Sequence, residues 1–174
     1  MILSLHLLVG AVIAVKFEFL PLVILFAFLS HYLLDFIPHW EYSIENIKKR
    51  NWKKSGLDFL KLTLDLGVGS ILIMFIHHLT RANYFILFTA AFFAILPDIL
   101  TALNWLCPNN KVLKYHFNLH HKIHFPKDPT PEQVRYPSSR AELTTGHSGA
   151  GKKIPLFWRI FSQVLIVIIV IALL

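Results

Sequence analysis

The fold class of this chain can be inferred from the stretch FLPLVILFAFLSHYLLDFIP, residues 19–38. Its 20 residues are almost all apolar, and this is about the length that an α-helix needs to cross a hydrocarbon core roughly 30 Å thick. His31 and Asp35 interrupt the apolar run and lie one turn apart on one face of the expected helix. The stretch therefore predicts a membrane helix with two polar groups on one side.

The whole chain has the composition of an integral membrane protein. Of its 174 residues, 55% are hydrophobic and 16% are charged, whereas soluble domains average about 25% charged residues. Its single cysteine, Cys107, excludes a disulfide scaffold. Further apolar segments lie at 55–76, 84–106 and 154–174, with a shorter one at 2–15. We expect one all-α membrane domain, an integral membrane helical bundle over residues 1–174, with about five membrane helices, the first of them short.

Lysine and arginine are concentrated in two of the predicted loops. Thirteen of these residues lie at 48–54 and 111–153, whereas the other two loops hold only Lys16 and Arg81. By the positive-inside rule, we expect a multi-pass protein of the cell membrane, with its N-terminus and both basic loops in the cytoplasm and its C-terminus outside. The net charge of +7 then reflects topology and lipid head groups, and we expect no nucleic-acid partner.

Residues 108–153 form the longest predicted loop, which is cytoplasmic and divides into two parts. The first part contains the pattern H-x-x-x-H-H-x-x-H, formed by His116, His120, His121 and His124. The second part, from residue 126 onward, is rich in proline and then in glycine and serine, which predicts irregular chain.

Histidine and aspartate side chains of separate segments fall at similar depths in the predicted bundle. An ionisable group inside a membrane helix is energetically costly, so it indicates a functional site. At about 1.5 Å per residue, His31 and Asp98 each lie roughly 12 Å from the cytoplasmic ends of their helices, and Asp65 lies roughly 15 Å from its own. His6 and the histidine-rich loop lie on the same side. We therefore expect these groups to meet in the cytoplasmic half of the membrane.

Imidazole and carboxylate groups together are typical ligands of divalent transition metals. We expect zinc, manganese or iron, and the number of ions, one or two, stays open. The predicted metal ligands are His31, Asp35, Asp98, His120 and His124. Asp65 and His39 are predicted to be catalytic, as a ligand or a general base. The residues predicted to orient the ligands, or to replace them, are His6, His116 and His121.

Four short motifs give the chain a resemblance to a known family. They are LHLLVG at 5–10, FLSHYLLDFIPH at 28–39, ILPDIL at 95–100 and HHKIHF at 120–125. In these motifs the chain resembles the bacterial and archaeal inner-membrane proteins described as membrane-bound metal-dependent hydrolases, with the SHxxxD and LPD elements in reversed order. The resemblance implies a short multi-span bundle and hydrolase activity, and it implies functional roles for His6, His31, Asp35, Asp98, His120 or His121, and His124.

The sequence thus predicts a membrane-embedded metal-dependent hydrolase that cleaves an ester or phosphoester at the cytoplasmic face. A site just inside the interface favours a membrane lipid or a lipid-linked substrate, whose anionic head group the basic residues at 48–54 can bind. Two alternatives stay open. The pattern H-x-x-x-H-H at 116–121 is similar to a histidine box of di-iron membrane oxygenases and desaturases, and the other alternative is a non-enzymatic metal-binding or structural membrane protein.

Overall fold

The computed structural model describes residues 2–123 and 154–174. Within these ranges the chain forms seven α-helices, one short 3-10 turn and no strand, so the predicted all-α bundle is confirmed. The helices are α1 (Leu3–Lys16), α2 (Leu20–Phe36), α3 (Glu45–Lys48), α4 (Gly56–Thr80), α5 (Tyr84–Leu106), α6 (Lys111–Ile123) and α7 (Leu156–Leu173), and the 3-10 turn is Trp52–Lys54.

Three of the helices, α4, α5 and α7, are long and apolar enough to cross a membrane, with 25, 23 and 18 residues. Helices α1 and α2 are apolar as well, but they have only 14 and 17 residues. Helix α2 ends before its predicted boundary because Ile37 precedes Pro38, and a proline disfavours helical backbone at the residue before it. Helix α4 runs past its predicted end to Thr80 and stops at Arg81, which has a left-handed φ of 57°.

Helix α1 lies at the centre of the bundle and contacts α2, α4, α5 and α7. Eight of its 14 residues are buried, whereas only two of the 18 residues of α7 are. It approaches α5 closely at Gly10, where an added Cβ would lie 2.9 Å from the carbonyl oxygen of Ala90 and from Cβ of Ala94. Small residues at a crossing let helix backbones approach in this way. The shortest of the predicted spans therefore forms the core.

The first part of the predicted histidine-rich loop is a helix, α6, which corrects the sequence interpretation. Asn110 caps it, because its side-chain oxygen accepts hydrogen bonds from the backbone N–H groups of residues 112 and 113. Leu113, His116, Phe117 and His120 recur with helical spacing and are its more buried side chains over this stretch. Helix α6 packs on α2 and α5, so it brings histidines to the bundle. Residues 124–153, which include His124 and the proline-rich part, lie outside the described residues.

Helix α7 is tied to the segment that follows α2. The hydroxyl of Ser162 donates a hydrogen bond to the carbonyl of Pro38, and the side-chain amide of Gln163 donates one to the carbonyl of Trp40 at 2.8 Å. These two bonds satisfy carbonyl groups just beyond the end of α2, where its backbone has no helical partner. They fix the end of the helix that carries His31 and Asp35.

Candidate metal centre

Four side chains from three helices meet beside α1. His31 and Asp35 come from α2, Asp98 from α5 and His120 from α6, and one ligand atom of each lies within 4.8 Å of those of the others. Nε2 of His31 lies 3.1 Å from Oδ2 of Asp35 and 3.8 Å from Oδ1 of Asp98. Nε2 of His120 lies 2.8 Å from the same Asp35 oxygen. Metal–ligand bonds of about 2.0–2.2 Å place the ligand atoms of a tetrahedral site roughly 3.3–3.6 Å apart, so these atoms are close to the spacing of a coordination shell.

The ring of His31 is oriented by the backbone of α5. Its Nδ1 lies 2.8 Å from the carbonyl oxygen of Ala94, and because a carbonyl can only accept, Nδ1 carries a proton and donates it. In a neutral imidazole this leaves Nε2 with a lone pair, and that lone pair faces the carboxylates of Asp35 and Asp98. A lone pair directed at two carboxylates is unfavourable unless a proton or a cation lies between them. The orientation of His31 therefore suits a metal ligand.

Thr101 of α5 orients the ring of His120, as the carbonyl of Ala94 orients the ring of His31. The hydroxyl of Thr101 lies 3.1 Å from Nδ1 of His120, which turns Nε2 toward Asp35 and to within 3.1 Å of Nε2 of His31. The sequence analysis did not identify Thr101. A signal was present, because Thr101 follows Asp98 by three positions and so shares its helix face.

His6 of α1 completes the buried part of the centre. It is fully buried, and its ring stacks on that of His31 with centroids 4.3 Å apart. Its Nε2 lies 3.3 Å from Oδ1 of Asp35, but within residues 2–123 and 154–174 neither of its ring nitrogens has a hydrogen-bond partner. Buried polar atoms in folded proteins nearly always have a partner. His6 gains a partner if a cation binds beside Asp35, or if its ring rotates so that Nε2–H points at Oδ1 of Asp35.

Of the four side chains of the centre, the Asp98 side chain is part-exposed and the others are buried, so the centre is open on the side of Asp98. The side chains of His31, Asp35 and His120 are 0%, 1% and 7% exposed, whereas the Asp98 side chain is 34% exposed. Buried carboxylates need compensation by opposite charge or hydrogen bonds, and two imidazoles with two carboxylates are a ligand set that zinc, manganese and iron accept. The residues therefore fit a divalent transition metal whose shell is reached from the side of Asp98.

A cavity of about 610 Å³ opens on that side of the centre. Asp98, Thr101 and His120 line one part of it, and most of the remaining wall is formed by aromatic and aliphatic side chains. The volume lies within the range of roughly 300–1,000 Å³ that is usual for pockets of small ligands. The centre therefore has adjacent space for a bound molecule.

Asp65, a predicted catalytic residue, lies in a different environment. Its carboxylate accepts hydrogen bonds from the backbone N–H of Leu3 at 2.6 Å and of Ser4 at 3.0 Å, and from the hydroxyl of Tyr42 at 3.0 Å. Ile2, at the N-cap of α1, provides no side-chain cap, so a residue of α4 performs this role and also complements the helix dipole. Burial and the nearby Asp65 carboxylate raise the pKa of Tyr42, which keeps its hydroxyl protonated as a donor. These partners account for the buried charge of Asp65 without a metal.

The other predicted residues are distributed around the centre. His39 bonds the carbonyl of Ile37 through Nδ1, and its Nε2 lies 3.0 Å from the carboxylate of Glu41. His116 stacks on His120, and its Nε2 lies 3.1 Å from the hydroxyl of Tyr32. Burial and the neighbouring imidazoles lower the pKa of His116. The exposed His121 lines the cavity.

Four of the five predicted metal ligands thus meet at one place, and the fifth, His124, lies outside the described residues. No protein family, curated protein or solved structure significantly matches this chain. The interpretation of the centre therefore depends on its own geometry.

Proposed function

We propose that this protein is a membrane-embedded hydrolase that uses a divalent metal, zinc, manganese or iron, to cleave an ester or phosphoester bond. The convergence of His31, Asp35, Asp98 and His120 from three helices is the observation that carries this proposal. These four residues would hold the divalent ion, which would supply a water molecule of lowered pKa and polarise a carbonyl or phosphoryl oxygen.

The uneven burial of the four residues supports an enzyme over a purely structural metal site. Structural sites are closed by their protein ligands, whereas catalytic sites keep a position open for water or substrate. The part-exposed Asp98 side chain lies at the edge of the cavity, so the centre has one open side.

The four side chains of the centre have different roles in this reaction. Asp35 supplies the most buried negative charge, His31 and His120 are held in position by Ala94 and Thr101, and Asp98 accepts hydrogen bonds from water that enters through the cavity. In the overall reaction a water molecule adds to the carbonyl carbon or to phosphorus, and the bond to the leaving oxygen breaks. The protons of that water end on the acid and the alcohol that are released.

The distribution of basic residues supports a location of this reaction at the cytoplasmic face of the cell membrane. Three helices have the length and composition of membrane spans, and Lys48 on the short helix α3 lines the same cavity as Asp98 and His120. Because lysine and arginine mark cytoplasmic loops, the entrance to the centre faces the cytoplasm and the inner leaflet.

The di-iron oxygenase alternative has less support from the geometry. Of the three histidines of the H-x-x-x-H-H pattern, only His120 belongs to the group of four. His116 contacts Tyr32, and His121 is exposed. Such oxygenases require several histidine-rich motifs, whereas α2 and α5 together provide one histidine and two aspartates to the group of four.

The proposal is tested with the full-length protein in phosphatidylcholine nanodiscs. After removal of metal with a chelator, hydrolysis of p-nitrophenyl esters and of bis-p-nitrophenyl phosphate is measured before and after addition of zinc, manganese or iron(II). We expect metal-dependent release of p-nitrophenol, and its loss in Asp98→Asn with the helical content unchanged. Metal binding without any hydrolysis of either substrate class would leave a metal-binding protein and would reject the hydrolase.

A further inference from the structure

The cavity beside the metal centre has a wall that suits a hydrocarbon chain. Large apolar side chains form much of this wall, among them Trp52, Phe59, Leu62, Trp105, Leu106 and Phe117. Apolar side chains of this kind make close van der Waals contacts with the methylene groups of a hydrocarbon chain. The volume of about 610 Å³ matches one molecule of moderate size, so the cavity is suited to a single apolar chain more than to the paired chains of a phospholipid.

A cationic side chain lies on the same cavity. Lys48 lines it, and its Nζ lies 5.9 Å from the centroid of the Trp105 ring, in a cation–π arrangement. The cavity also carries the Glu41 carboxylate, which is partnered by Nε2 of His39 at 3.0 Å. The lysine therefore places a positive charge on the wall of the cavity, beside the aromatic ring of Trp105.

Hydrogen bonds to Asp58 hold helix α3, and with it Lys48, in position. The backbone N–H groups of Asn46 and Ile47 donate hydrogen bonds to Oδ2 of Asp58 at 2.9 and 3.3 Å. Asp58 is 3% exposed and Ile47 is 8% exposed. Helix α3 is thus anchored to the start of α4 by a buried carboxylate, and Lys48 is presented to the cavity from a fixed segment.

We infer that this cavity binds a single-chain anionic amphiphile. Its hydrocarbon chain lies along the aromatic wall, and its phosphate or carboxylate group lies near Lys48. The bond to be cleaved then lies at Asp98 and His120, which line the same cavity. The inference that the amphiphile binds depends on the shape of the cavity and on Lys48. Only the inference that it is cleaved rests on the proposed function.

Quenching of tryptophan fluorescence by a brominated acyl chain tests this binding directly. The background is the full-length Trp40→Phe/Trp158→Phe protein in phosphatidylcholine nanodiscs, in which the remaining tryptophans, Trp52 and Trp105, both line the cavity. The probe is a monoacyl glycerol phosphate with a brominated chain. We expect saturable quenching that the same lipid without bromine reverses. A probe with the same chain and a phosphocholine head group, and an unbrominated two-chain phosphatidate, are expected to bind or compete more weakly.

Two variants and one matched control assign the binding to the cavity. Lys48→Met keeps most of the apolar stem and is expected to weaken binding of the anionic probe about fivefold, the effect of one lysine near an anionic group. Lys49→Met makes the same charge change at the next residue, the C-cap of α3. Lys49 pairs with Glu45 at 3.8 Å on the exposed side, so this variant is expected to leave binding unchanged. Ala102→Phe fills the cavity that Ala102 lines and is expected to abolish saturable quenching.

Several results would overturn the inference. They are equal binding of the anionic and phosphocholine probes, equal competition by the two-chain lipid, equal effects of Lys48→Met and Lys49→Met, or saturable quenching that survives Ala102→Phe. Metal content is measured on the same samples, which separates this inference from the proposed function. If the protein contains metal but shows no saturable quenching, only the inference of amphiphile binding is overturned. If saturable quenching occurs in protein that contains no metal, amphiphile binding is supported and the metal-dependent hydrolase is rejected.

Discussion

Nε2 of His120 lies 2.8 Å from Oδ2 of Asp35, although the two residues are separated by 85 positions. His31 and Asp98 lie around the same carboxylate, so contacts between three helices hold the centre together. The energetic reason is that a carboxylate with 1% exposure is costly without compensation. The helices that carry these groups therefore pack so that polar atoms face one another and apolar side chains face outward.

Replacement of His120 by Gln is expected to lower metal affinity by more than about 100-fold. Loss of a residue that only orients a ligand costs about 10–100-fold, and His120 provides a ligand atom itself. The neighbouring His121→Gln is the matched control, because His121 is exposed and lies outside the group of four. Competition titrations with a chromogenic zinc chelator measure both. Equal affinities for the two variants would remove His120 from the ligand set.

His6→Phe is expected to lower metal affinity by about 10–100-fold, the usual effect of removing a group that orients a ligand. Phenylalanine keeps a stacked ring against His31 but cannot contact Oδ1 of Asp35, from which His6 Nε2 is 3.3 Å. His6→Asn, which keeps an N–H donor but no aromatic ring, is measured beside it in the same titration. Unchanged affinity in His6→Phe would show that His6 only packs against the centre.

Asp65→Ala is expected to lower the free energy of unfolding by about 2–3 kcal/mol, because it leaves two N–H groups at the start of α1 and the Tyr42 hydroxyl without their acceptor. Tyr42→Phe, which removes one of these donors, is expected to cost about 1 kcal/mol. Thermal unfolding in a single detergent measures both. If Asp65→Ala keeps full stability and loses only hydrolysis, Asp65 is a catalytic residue, as the sequence predicted.

Gly10→Ala is expected to destabilise the bundle by about 1–3 kcal/mol. The new Cβ would meet the carbonyl of Ala90 and the side chain of Ala94 at 2.9 Å, and neither can move without shifting α5. Gly67→Ala is the control, because nothing lies within 4 Å of its added Cβ, and it is expected to be stabilising by about 0.5–1 kcal/mol in a helix interior. Equal thermal stability of the two variants would contradict the close approach of α1 and α5.

Hydropathy was sufficient to predict the fold class, because each membrane-length segment carries its own signal. The boundaries of α5 agree with prediction, Tyr84–Leu106, and those of α2 and α4 differ by a few residues at points where proline or a left-handed residue stops the helix. The central position of α1 could not be read from the sequence. It depends on a close approach to α5 at Gly10, which is a property of two helices together.

Some residues of the candidate site could be predicted because an ionisable side chain inside a membrane helix is energetically costly and therefore indicates a function. His31, Asp35 and Asp98 were found in this way, and the geometry brings them together. Asp65 was grouped with them by depth alone, which cannot distinguish a metal ligand from a carboxylate that caps another helix. The helix around His120 was missed because lysines and histidines obscured the helical recurrence of its buried positions.

Binding of a divalent transition metal by the group of four is the property on which the proposed function depends. Its most direct test is the metal content of the full-length protein purified from membranes, measured by inductively coupled plasma mass spectrometry beside Asp35→Asn, which keeps the shape of the side chain and removes its charge. We predict about one ion or more of zinc, manganese or iron per chain and its loss in Asp35→Asn. A wild-type protein that stays free of metal after incubation with all three ions, or an Asp35→Asn protein with undiminished metal, would contradict it.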